Sequence, residues 1–152
     1  AVYAVGDLNG LSLLAHAAAA QGEIAVDHAF GESRPYRNER VPRCLYTWPE
    51  VASVGDWTHT AQARGVETKA RRFFFKGSPK ALAANEGEGF LQIVSEKAGG
   101  RILGAQIVGP HATEIIHVFA VALAAEMTVP RLRDVIYAHP TLSEGIREAL
   151  SR

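Results

Sequence analysis

The chain has 152 residues, 47% hydrophobic and 21% charged, which suits one folded domain and excludes disordered or collagen-like order. Its 16 Lys plus Arg balance 16 Asp plus Glu, so it lacks the basic footprint of a nucleic-acid or anionic-membrane binder. A single cysteine, Cys44, excludes an intrachain disulfide framework and a cysteine-built zinc site. No run is apolar enough to span a membrane and no basic segment leads into an apolar one, so a cytoplasmic setting is expected. The chain opens Ala1-Val-Tyr-Ala-Val-Gly-Asp7, without methionine and already inside an apolar run. A segment of a longer protein would start that way.

In chain order, residues 1–5 read as a short strand ending at the Gly6-Asp7 turn. Asn9-Gly10 is a second turn signal, and Ser12 is a plausible cap for an alanine-rich helix through Leu13, Leu14 and Ala17. A strand, a glycine turn and a helix make half of an α/β unit without the rest of its sheet. Residues 31–40 are polar and rich in turn formers, and are expected to link this piece, residues 1–30, to the rest. From residue 41 to 152 the pattern is that of a compact α+β domain, mainly antiparallel sheet packed with helices. Residues 43–54 are strand-like, with Cys44, Tyr46 and Trp48 on one alternation and Pro49 interrupting it. Residues 58–64 predict a short helix capped by Thr58. Residues 67–76 are β-rich. Residues 89–96 and 101–108 predict two strands joined by the hairpin signal Lys97-Ala-Gly-Gly100. Residues 113–127 predict a helix with Ile115, Ile116, Phe119, Leu123 and Met127 in register. A second helix begins near Val129-Pro130, and Ser143 is expected to cap a last one.

Most chemical signatures are missing. There is no Gly-x-Gly-x-x-Gly after a strand, no P-loop, no Gly-x-Ser-x-Gly elbow and no His-Glu-x-x-His. Glu114 and His117 lie one helical turn apart, but a second such pair is absent, so a polar helix pair is expected and no metal. His28, His59 and His111 fall in polar or turn contexts. The segment Ala138-His-Pro-Thr-Leu-Ser-Glu144 stands out. An X-Pro bond reaches cis far more easily than others, and a cis His139-Pro140 turn would present the imidazole ahead of a helix. Glu144, near that helix's start, could turn back to the ring and fix its tautomer and orientation. Such a pair is suited to general acid–base work. On spacing alone, a loop histidine before a capped helix is the commoner arrangement.

Five segments, in order, resemble the C-terminal part of the dihydrolipoamide dehydrogenases, within the FAD-dependent pyridine nucleotide–disulfide oxidoreductases. Tyr3-Ala-Val-Gly-Asp7 resembles that family's second flavin motif. Leu14-Ala15-His16, with Ala17 and Gly22, resembles the helix beneath the flavin. Pro42 with Tyr46-Thr-Trp-Pro-Glu-Val-Ala-Ser-Val-Gly55 resembles the start of the dimerisation domain. Gly104-Ala-Gln-Ile-Val-Gly109 with Glu114-Ile resembles its central strand and helix. Ala138 to Glu144 resembles the active-site signature.

The resemblance implies that residues 1–30 are a remnant of an FAD-binding domain and residues 41–152 a dimerisation domain. Gly6, Asp7, Leu13, Leu14, Ala15 and His16 would then contact FAD, with Asp7 on a ribityl hydroxyl and the helix start facing the pyrimidine edge. His139, paired with Glu144, would be the acid–base that deprotonates a dihydrolipoyl thiol, since the thiolate is the form that attacks a disulfide. NAD⁺ would be the final acceptor. A homodimer is implied, because His139 would serve the partner subunit, and a lipoyl-bearing acyltransferase is the implied partner of the whole enzyme. The helix over residues 113–127 and nearby strands are candidates for the dimer interface, although an apolar stripe is more often a core face, so no interface residues are assigned from it.

Departures from the pattern matter as well. The family's redox cysteines are absent, Cys44 reads as a small buried residue, and this chain alone is expected to be inactive. Tyr137 stands where a histidine is often found. Two alternatives stay open: a non-catalytic dimerisation module, and a related disulfide or mercuric reductase.

Overall fold

The computed structural model describes residues 1–151, in two compact units, Ala1–Val41 and the remainder from Pro42 onward. The first unit has a 3-10 turn at Gly6–Asn9 and a helix, α1, over Ala15–Ala29, followed by a second 3-10 turn at Asn38–Arg40. Residues 1–5 form no strand. Val5 is extended (φ −126°, ψ 153°), but an extended segment becomes a strand only by hydrogen bonding a neighbour, and the described residues offer it none. Instead the turn is pinned by Gln21 of α1. Its Oε1 accepts from the Gly6 N–H at 2.7 Å and from Asn9 Nδ2 at 2.7 Å. Gly6 takes φ +72°, and a Cβ there would meet Ala18 Cβ at 3.2 Å. The glycine is therefore required by the turn and by the close approach of α1.

Ser12 does not cap α1. The helix begins three residues later, with Leu14 at its N-cap position and no side-chain cap, so the serine hydroxyl is out of reach of the first turn. Ser12 is buried instead, and its Oγ has no hydrogen-bond partner.

The second unit is built on one antiparallel sheet. Its strands are β1 (Arg43–Leu45), β2 (Glu50–Gly55), β3 (Thr68–Phe74), β4 (Phe90–Glu96) and β5 (Ile102–Gly109), in the spatial order β1-β2-β5-β4-β3. Residues 43–54 are thus a hairpin and not one interrupted strand. Proline has no N–H for a ladder; the chain turns at a cis Trp48–Pro49 bond, and Leu45 comes back opposite Val51. The β4–β5 hairpin runs as the glycine pair predicts, with Leu91 opposite Ile107 and a register shift between Val94 and Ser95.

Period-two alternation places Cys44, Ala52, Ile107, Leu91 and Phe73 opposite one another across all five strands. This row belongs to the main core together with Ile115, Ile116 and Phe119 of α4 (Ala112–Ala124) and Ile146, Ala149 and Leu150 of α6 (Glu144–Leu150). The inward stripe of α4 is therefore used up on its own sheet, and does not supply a free interface. The amino end of α4 is held by Glu50 of β2, whose Oε2 accepts from the Thr113 N–H at 2.9 Å and its hydroxyl at 2.8 Å.

Three shorter helices complete the unit: α2 (Thr58–Ala63), α3 (Pro79–Ala83) and α5 (Val129–Arg133). Ala61 of α2 packs with Val94 and Leu103 in a small second cluster. Thr60, not Thr58, serves the start of α2: its Oγ1 accepts from the Trp57 N–H at 2.9 Å. No described helix is long and apolar enough to cross a membrane.

Candidate acid–base site and candidate cofactor turn

His139 lies in the connection between α5 and α6 and is joined to Pro140 by a cis peptide bond. Two anchors fix this connection. Upstream, Tyr137 packs against the main core and donates its hydroxyl to the Leu132 carbonyl at 3.2 Å; burial pushes its phenol pKa up. Downstream, α6 is seated by Ile146, Ala149 and Leu150, all buried. Gly145 brings the first turn of α6 directly over Phe73, since a Cβ there would fall 2.7 Å from Phe73 Cδ1.

Between the anchors the imidazole and the carboxylate meet. His139 Nδ1 lies 2.9 Å from Glu144 Oε1, and the Thr141 N–H donates to Glu144 Oε2 at 2.8 Å. The Thr141 hydroxyl donates to the Ala138 carbonyl at 2.7 Å. The Thr141 amide first, and the His139 hydrogen bond second, hold the Glu144 carboxyl below its ordinary value. An ionised carboxylate only accepts, so Nδ1 must be the donor, and in the neutral ring Nε2 keeps its lone pair. The His139 side chain is 69% exposed and that of Glu144 29%. The ring is thus oriented at Nδ1 and largely exposed, an arrangement that could serve proton transfer at Nε2.

The expected cap at Ser143 is absent: its backbone is already helical and its hydroxyl makes no capping bond. Glu144 satisfies the Thr141 amide instead. That is one half of a capping box, for which Thr141-x-x-Glu144 is the sequence signal. Thr141 is the site residue that motif reasoning missed, and that spacing could have found it.

The residues expected at a flavin lie in the first unit. Gly6 is buried, Asp7, Leu13, Ala15 and His16 are exposed, and Leu14 is half-buried. The segment fits a polar-edged ring cofactor on three observations. Ser12 Oγ and Gln21 Nε2 are buried and unpartnered. The amino end of α1 has no side-chain cap, and no acidic residue sits in its first turn. A helix amino end in that condition favours developing negative charge.

Other candidates resolve differently. His117 Nδ1 lies 3.4 Å from the Glu114 carbonyl and not its carboxylate. Cys44 is half-buried beside the main core, and its thiol pKa is raised by burial first and then by Glu50 and Glu114. A raised thiol pKa opposes a nucleophilic role.

The family described as pyridine nucleotide-disulphide oxidoreductase, dimerisation domain, matches residues 41–150. A dihydrolipoyl dehydrogenase of Chlamydia muridarum is 40% identical over 143 residues, 94% of this chain and 31% of that protein. One from Bacillus subtilis is 40% identical over 149 residues, covering 98% of this chain and 32% of that protein. The crystal structure of LpdA from Mycobacterium tuberculosis matches with a TM-score of 0.92 at 35% identity, over 98% of this chain and 33% of that one. The HOCl-induced flavoprotein disulfide reductase RclA from Escherichia coli shares the fold, with a TM-score of 0.87 at 24% identity, over 98% of this chain and 35% of that one. The chain thus spans about a third of the length of the relatives it matches.

Proposed function

The chain belongs to the pyridine nucleotide-disulphide oxidoreductase dimerisation-domain family, and from that premise we propose that it is the C-terminal part of a dihydrolipoyl dehydrogenase. His139 is its acid–base and Glu144 the partner that orients it. The observation that carries this reading is the 2.9 Å contact between His139 Nδ1 and an anchored, ionised Glu144.

In this reading Nε2 takes the proton from a dihydrolipoyl thiol. The thiolate sulfur attacks one sulfur of the enzyme disulfide, forming a mixed disulfide as the old S–S bond breaks. The imidazolium, steadied by Glu144, faces the thiolate that departs and can return the proton to it. Gly6, Asp7, Leu13, Leu14, Ala15 and His16 would hold FAD, which when bound supplies the electron sink between the dithiol and NAD⁺. Residues 1–30 are then a piece of the FAD-binding domain, 31–40 a linker and 41–152 the dimerisation domain.

The family's description supports a homodimer, and in this reading His139 would serve the disulfide and flavin of the partner subunit. A lipoyl-bearing acyltransferase is the corresponding partner for the whole enzyme. A lone, half-buried cysteine suits a reducing, cytoplasmic setting.

The test is His139→Gln in the full-length protein. General acid–base catalysis contributes about 10²–10⁴-fold, so dihydrolipoamide oxidation should fall by at least about a hundredfold while flavin content is unchanged. Near-wild-type turnover would leave the domain a dimerisation module with a structural histidine.

A further inference from the structure

The Glu144 carboxylate is held at one oxygen by His139 and at the other by the Thr141 amide. In an ordinary capping box the threonine hydroxyl accepts from the third amide of the helix. Here it does not. It donates backwards, at 2.7 Å, to the carbonyl of Ala138, which belongs to the peptide from which His139 is suspended. One residue therefore grips both halves of the dyad, the carboxylate through its N–H and the histidine's peptide through its hydroxyl.

We infer that Thr141 is a positioning residue for the His139–Glu144 pair, with its hydroxyl setting the approach of Nδ1 to the carboxylate. The inference deepens the acid–base reading of His139 and rests on it for its relevance to catalysis. The physical argument is short. His139 is mostly solvent-exposed, so packing does little to fix its ring, and the orientation must come from hydrogen bonds. Nδ1 to Glu144 is one of them. The Thr141 hydroxyl supplies the other constraint by closing residues 138–141 into a turn of defined shape. Without the hydroxyl, the Ala138 carbonyl turns to water, the histidine's peptide gains freedom, and the ring nitrogen competes with solvent for Glu144 Oε1. The amide bond from Thr141 to Oε2 would survive, because any non-proline residue supplies it.

Nuclear magnetic resonance of the 152-residue chain reads this directly, because nitrogen shifts report which ring nitrogen carries the proton in neutral histidine. In the parent sequence His139 should sit mainly in the Nδ1–H form, with Nε2 bare. Thr141→Val keeps the shape and the amide but removes the hydroxyl. It should move the tautomer ratio about threefold or more towards Nε2–H, the scale of one modest hydrogen bond. Thr141→Ser keeps the hydroxyl and should keep the parent ratio. If Thr141→Val fails to fold, Thr141→Ala carries the same expectation.

A parent ratio retained in the folded valine or alanine variant overturns the proposal. So would a serine variant that shifts as far as valine. The outcome is separate from that of His139→Gln, which tests catalysis: a shifted tautomer alongside a fully active His139→Gln enzyme would leave positioning intact and remove the acid–base role.

Discussion

At the scale of single residues, the informative group is Glu144, because its charge state is set by identifiable contacts. The Thr141 amide and the His139 ring hold its pKa below the ordinary 4.5. A carboxyl depressed in the native state stabilises the fold above its unfolded value, and loses that contribution as pH falls through the native one. Replacing it with glutamine should therefore lower the Tm above about pH 4.5, and the gap should close progressively as the pH is taken lower. Melts of the chain and of Glu144→Gln from about pH 7 to about pH 3 would show this; a gap that is flat across the whole range contradicts it. The dyad itself was legible, since His139, Pro140 and Glu144 lie within six residues. The side-chain role of Ser143 was not. A serine before a helix is a good cap on preference alone, but the Gly145 and Ile146 amides it would serve already donate to the Leu142 and Ser143 carbonyls. Gln21 was invisible for a different reason: it looks like any polar residue in an alanine-rich helix until the Gly6 turn folds onto it.

At the scale of elements, α6 matters most, because it carries Glu144 and must sit at a set height over the sheet. Its second residue is Gly145. In an exposed helix interior, glycine to alanine gains about 1 kcal/mol. Here the new methyl would lie 2.7 Å from Phe73 Cδ1 and 3.0 Å from Cε1, and Phe73 is 4% exposed with its ring edge-on to Phe75. Overpacking of this kind costs about 1–3 kcal/mol, so the core term wins. Gly145→Ala should reduce stability by roughly 1 kcal/mol in urea unfolding, and a stabilised variant would show that α6 has room to lift. Elements were readable where their signals are local. Gly99-Gly100 marks a hairpin by itself, and Ile115, Ile116 and Phe119 mark a helix face by spacing. They were misread where the signal is a partner. Residues 1–5 have strand composition, but no ladder forms without a second strand. Residues 43–54 look continuous until Pro49 forces a turn and the two halves pair with each other.

At the scale of the whole molecule, the two units differ in how well they cover themselves. In the sheet-bearing unit, β5 is buried along nearly its whole length and β4 over more than half of it, and Leu91, Ile93, Val94, Ala105 and Ile107 have no accessible surface. The first unit has buried residues only at Gly6, Ser12, Ala17 and Gln21. Two of these carry unpartnered polar atoms, while Val2, Leu8, Leu13 and Phe30 are each at least 70% exposed. Burial of an unpaired polar atom costs free energy, and exposed apolar side chains return none, so the first unit has little to hold it closed. Opening free energy within one protein ranges from near zero up to the global value according to such local burial. Native-state hydrogen exchange should accordingly divide the chain near residue 41. Amides of α1 should exchange at least about a hundredfold faster than those of β4 and β5, although a 15-residue helix rich in alanine has good intrinsic propensity. Equal protection in α1 and the central strands would mean that the first unit unfolds only with the second. The same contrast accounts for the FAD proposal resting on the full-length protein: a turn and helix that open readily supply amides and a carboxylate for a cofactor, but need the rest of a core to hold them in place.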